Sequence, residues 1–146
     1  MYCSALALSL AHKRWSQGEA GATVLDGALV VADLEAGQDA SVGQAFVSSL
    51  SMARQPRANL YALYQGWMDT ALALLAAQVT GAFALVQSPE QAAARRSALA
   101  ECERLAALMN SLRVTAAKER QVARQVELNL KLKRVQAEHA AARAKL

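Results

Sequence analysis

Four carboxylates, Asp26, Asp33, Glu35 and Asp39, fall within one short stretch, the kind of cluster that holds a divalent cation or shares a proton in acid–base work. Their spacing matches no calcium loop, and the expected partner ligands are missing. They read as a solvated acidic face. The two histidines, His12 and His139, stand at no spacing from an acid, serine or cysteine that would place a triad or a metal pair on one surface. Cys3 and Cys102 are far apart, show no C-x-x-C spacing and cannot alone build a disulfide framework or a zinc site. Cys102 falls on an apolar stripe with Leu99 and Leu105, the setting of a buried structural thiol. "GEAGATVLDG" lacks both the Lys-Ser/Thr of a P-loop and the glycine spacing of a dinucleotide fold. The expectation is a non-enzymatic protein with no cofactor and no metal, in a reducing, cytoplasmic compartment.

Charge offers a different chemistry. Residues 1–90 hold four Lys/Arg against seven Asp/Glu, whereas residues 91–146 hold twelve against five, a net +7 in the second part. Arg120, Arg124, Lys131, Lys133 and Arg134 are the densest part of it and could neutralise phosphates in a nucleic acid. Aromatic stacking groups are absent from residue 84 onward, and the basic residues surround the helix instead of forming one stripe, which favours a protein partner over nucleic acid.

The elements that must position these groups follow from composition and punctuation. Apolar residues make up 54% of the chain but aromatics only 5%, and alanine is abundant, a balance that favours closely packed helices. "SALALSLA" precedes the basic cluster His12-Lys13-Arg14, the wrong order for a signal peptide, so residues 2–15 are expected as a short amphipathic helix with Leu6, Leu10 and Trp15 inward. Between Ser16 and Gly43 five glycines punctuate "ATVL" and "GALVVADL". "GALVV" fits a strand turning at "EAGQ", yet Leu25, Leu29 and Ala32 also fit a helical face, and the reading leans to helix.

Ser41-Val42-Gly43-Gln44 has the form of a capping box and predicts a helix over 42–54, interrupted at Pro56. A second helix is expected over 57–86. Ser88-Pro89-Glu90-Gln91 combines a capping serine, a proline suited to the first helical position and a glutamine three residues after the cap. With no Gly or Pro from Gln91 to Lys145, one helix to about residue 144 is expected, a rod of about 80 Å. Leu105, Leu108, Met109, Leu112 and Ala116 should pack on the preceding apolar helix as an antiparallel hairpin. In "VELNLKLKRV", Val126 and Leu130 lie on one helical face and Leu128, Leu132 and Val135 on another, and a helix with two apolar sides needs two neighbours.

The run "TALALLAAQVTGAFALV", residues 70–86, carries no charge. As a helix it spans about 26 Å against a hydrocarbon thickness of about 30 Å, so a membrane crossing is an alternative. Its many Ala and Gly residues, Gln78 and the lack of Lys/Arg anchors favour burial in protein, and Ala73, Ala77 and Gly81 at four-residue spacing suit close helix contact.

The stretch "QPRANLYALYQGWMDTALALLAAQ", residues 55–78, resembles the core of the Reb proteins, the subunits of bacterial refractile ribbons called R-bodies. Pro56 is followed seven residues later by Leu63-Tyr64-Gln65 and then by an Ala-rich helix, as in that family, and Asp39-Ala40 loosely resembles its Asp-Ala opening. The resemblance implies a small helical subunit that polymerises and has no catalytic site. The reading is therefore an all-α protein, an elongated helical hairpin or bundle with a long C-terminal helix and a short Gly-rich N-terminal region. It divides into residues 1–55 and 56–146, and its function is homo-oligomeric assembly or binding of a partner helix. Leu63, Tyr64, Trp67, Ala73, Ala77, Gly81, Leu128, Leu132 and Val135 form the expected interface.

Overall fold

The computed structural model describes residues 6–34 and 39–146. The chain divides into two compact units, residues 1–87 and 88–146. The first holds strands β1 (Leu6–Leu10), β2 (Lys13–Trp15), β3 (Thr23–Leu25) and β4 (Val30–Leu34) with helices α1 (Ala40–Ser49) and α2 (Leu60–Thr80). The second holds α3 (Pro89–Lys118) and α4 (Val122–Arg143). The protein is thus mixed α/β, and the all-α expectation is corrected by four antiparallel strands in two small sheets.

Among the described residues, strands stand where a helix was expected over 2–15 and favoured at "ATVL" and "GALVVADL". Leu8 and Leu10 of β1 face Ala32 and Val30 of β4, and these residues turn inward while Ala7, Ser9, Val31 and Asp33 face solvent. That is a period of two, and "LALSL" satisfies it as well as it satisfies a helix. β1 pairs with β4 and β2 with β3, but the register shifts between the two ladders: Ala11 and His12 stand opposite Asp26 to Leu29. The surplus residues form a bulge, and Gly27 there has φ 97°, a left-handed conformation that glycine adopts without a Cβ penalty. Trp15, expected inward, is 71% exposed, since β2 and β3 form a ribbon with solvent on both faces. Glu35, the turn expected at "EAGQ" and Cys3 lie outside the described residues.

Asp39, not Ser41, caps α1; its Oδ1 accepts from the Ser41 amide at 2.9 Å. Val42, Phe46 and Ser49 are the buried side of this helix, which packs on α2. It stops at Ser49, before the residue expected, and a short 3₁₀ turn spans Met52–Arg54. Two carbonyls at its end gain side-chain donors: the buried Gln55 amide donates to Ser49 C=O, and Trp67 Nε1 donates to Leu50 C=O at 3.0 Å. Asn59 caps α2 through the Ala62 amide, and Gly81 at φ 85° ends it, so residues 82–86 of the uncharged run are not helical. Ala71, Leu72, Ala73, Leu74, Ala76 and Ala77 of α2 are buried. Among the described residues no helix is long and apolar enough to cross a membrane.

Ser88 caps α3, accepting from the Gln91 amide at 3.2 Å, with Pro89 opening the helix. The expected rod is broken at residues 119–121, and α4 packs back along α3. The stripe of α3 is therefore covered by α4: Cys102, Leu105, Leu112, Val135 and Ala142 are buried together, with Leu108, Met109, Leu128, Leu132 and Leu146 against them. Burial pushes the Cys102 thiol above its ordinary range.

Hydrogen bonds to the capping groups hold two exposed carboxyls below their usual range: Asp39 through the amide and hydroxyl of Ser41, Glu90 chiefly through the Ser88 hydroxyl. Both bind protons more weakly in the folded chain than in the unfolded one, so the stability they contribute is present above the carboxylate range and is lost as pH falls through it. Asp39→Asn keeps a capping oxygen but not the charge, and it is expected to flatten the acid limb of a Tm-against-pH curve. Gly66→Ala is expected to destabilise by about 1–3 kcal/mol in urea denaturation, because its Cβ would meet Pro56 Cδ at 2.7 Å and the buried Gln55 side chain.

Candidate functional site

Among the described residues, two places gather several polar side chains. In the first unit, Ala11 lies in the gap between the two ladders, and the Tyr64 hydroxyl accepts from its N–H and donates to its C=O, both at 2.9 Å. One phenol thus stands in for a missing strand neighbour. Beside it His12 stacks on Tyr61 with centroids 4.9 Å apart and meets Tyr64 edge-on at 5.1 Å. Gln65 Nε2 donates to Asp69 Oδ1 at 2.9 Å, which turns Gln65 Oε1 toward His12 Nε2, also at 2.9 Å. A carboxylate only accepts, so the amide is fixed and the imidazole nitrogen must donate. The arrangement holds the bulge on α2; Gln78 Nε2, donating to Asp33 C=O at 2.8 Å, fastens β4 to the same helix. Sequence reasoning missed the His12 cluster because His12 and Gln65 are 53 residues apart.

The second place is the hairpin of α3 and α4. At residues 119–121 the Glu119 carboxylate accepts from the amides of Arg120 and Gln121 at 2.8 and 2.9 Å, and Gln125 Nε2 donates to Ala116 C=O at 3.3 Å. These bonds satisfy backbone groups that the break frees, so a turn without Gly or Pro is tolerated. α4 then shows two sides. Leu128, Leu132 and Val135 enter the seam with α3. Val122, Val126 and Leu130, at four-residue spacing, face solvent at 73%, 51% and 54% exposure. Next to Leu130 a groove of about 520 Å³ is lined by apolar Leu108 and Val135 and by Glu127, Lys131, Arg134 and Glu138.

The expected interface residues are dispersed by the fold. Tyr64 and Trp67 hydrogen bond to Ala11 and Leu50, Ala73 and Ala77 are buried, Leu63 is half-buried, and Gly81 is an exposed helix cap. Leu128, Leu132 and Val135 are occupied within their own hairpin. The basic residues Arg120, Arg124, Lys131, Lys133 and Arg134 are all exposed, and Arg124 pairs with Glu127 at 3.0 Å. Among the described residues, no group of three or more His, Cys, Asp or Glu is placed to hold a metal ion.

The model of a family described as a domain of unknown function (DUF4391) matches residues 1–138, and the chain belongs to that family. No curated protein and no solved structure matches it.

Tyr64→Phe removes the one group that satisfies both polar atoms of Ala11. It is expected to cost about 1–3 kcal/mol and to speed hydrogen exchange at the Ala11 amide while leaving exchange in α3 and α4 unchanged.

Proposed function

We propose that this chain is a non-enzymatic interaction subunit that binds a partner helix along the outer face of α4. The observation that carries the reading is the exposure of Val122, Val126 and Leu130 on one line of a helix whose opposite side is already filled by α3. A hairpin satisfied by one seam needs no second apolar stripe. Three large aliphatic residues on one exposed line are the pattern of a helix-binding face. The adjoining groove brings the partly buried Leu108 to the edge of that strip beside Leu130.

The test separates the two sides of α4. A photo-crosslinking residue at position 126 or 130 is expected to form covalent adducts with protein in cells, and the same residue at the exposed Gln136 is expected to form none. Adducts with nucleic acid or lipid instead of protein would overturn the reading. Leu130→Glu, introduced beside the crosslinker at 126, should abolish the adducts while thermal stability stays within about 0.5 kcal/mol. By contrast, Leu132→Ala is expected to cost about 2–4 kcal/mol in denaturant unfolding, because it opens a cavity in the seam.

A further inference from the structure

Granting that helix-docking role, we infer that the occupant of the outer α4 face is an amphipathic helix of a different protein that carries carboxylates along its apolar seam. The solvent-facing line does not end at Leu130. Continued along α4 it reads Val122, Val126, Leu130, Lys133, Ala137 and Ala141, a 4-4-3-4-4 spacing, and all six residues are exposed. That spacing is the seam of a helix that packs lengthwise on another helix. Lys133 stands in the middle of it.

A helix laid on this seam crowds the exposed Lys133 ammonium, which then either reaches past the helix to water or meets an anion there, and an anion makes the docking more favourable. The carboxylates nearby, Glu127 and Glu138, lie on the adjacent row among Lys131 and Arg134, and Glu127 already pairs with Arg124. The anion must therefore come from the occupant.

A second copy of this face does not supply it. Its seam offers valine, leucine, alanine and another Lys133, and residues 88–146 hold twelve Lys/Arg against six Asp/Glu, so two such units repel by their net charge. Nucleic acid supplies anions but fits the rest of the face poorly. Phosphates would meet Glu127 and Glu138 as well as Lys131 and Arg134, the aliphatic line would gain no apolar cover, and no Phe, Tyr or Trp between Ala84 and Leu146 is present to stack on a base. A helix with an apolar stripe and seam carboxylates satisfies both the aliphatic residues and Lys133.

The experiment uses the full chain and two synthetic helical peptides of 22 residues, the length of α4. They share a Leu/Ala seam and differ only in carrying Glu or Lys at the seam centre and its flanks. By fluorescence anisotropy the Glu peptide is expected to bind at least about tenfold more tightly than the Lys peptide. Lys133→Glu, a surface change that leaves the hairpin core untouched, should reverse the order, and Leu130→Glu should remove binding of both. Equal binding of the two peptides, or preference for the Lys peptide, overturns the acidic partner while leaving helix docking in place. Binding of neither overturns both. A dimer seen by sedimentation velocity and dissolved by Leu130→Glu would make a second copy the occupant and overturn the inference. So would duplex DNA that displaces the Glu peptide and loses affinity in Lys133→Glu.

Discussion

The fold-back at residues 119–121 decides what the second unit is. A continuous helix would keep a few more backbone hydrogen bonds, each contributing about 1 kcal/mol net, but it would leave Leu105, Leu112 and Val135 in water. Burying each such side chain stabilises by roughly 1.5–3 kcal/mol, so closure wins once two or three leucines meet across the seam. The bonds from Glu119 and Gln125 then recover part of what the break gives up. Because α3 takes one side of α4, the side bearing Val122, Val126 and Leu130 is left facing solvent.

The first unit solves a different problem, and there aromatic groups take part. Its hairpin is interrupted by a bulge, where backbone polar groups lose their strand partners. The Tyr64 hydroxyl serves both polar atoms of Ala11, His12 rests on Tyr61, and Gln65 is oriented by Asp69. All of these side chains except His12 come from the first three turns of α2. The stretch over residues 55–78 is thus tied to the β-hairpin, and its Pro56 lies so close to Gly66 that a Cβ there would not fit.

How much of this was legible in the sequence differs from element to element. Ser88-Pro89 marks the start of α3 without ambiguity, because a capping hydroxyl and a fixed proline φ both belong at that position. The N-terminal strands were not legible: "LALSL" and "GALVV" fit both periods, and only the pairing of Leu10 with Val30 decides between them. The turn at 119–121 was equally hidden, since Glu, Arg and Gln are all good helix formers and the cause of the break is tertiary. Yet its result was partly readable from "VELNLKLKRV", whose apolar residues on two sides fit no single partner. For the candidate face, Val126 and Leu130 were visible as a separate line, whereas the leucines expected to meet a partner turned out to meet α3. The His12 cluster depends on contacts between distant segments, which periodicity does not report.

Cys102 has a consequence for how the hairpin can be watched. Its sulfur lies inside the seam, and burial holds it in the unreactive thiol form. An alkylating reagent can reach that sulfur only while the two helices are apart. The rate of its modification is therefore a clock for the breathing of this unit, carried by the native chain without any added label.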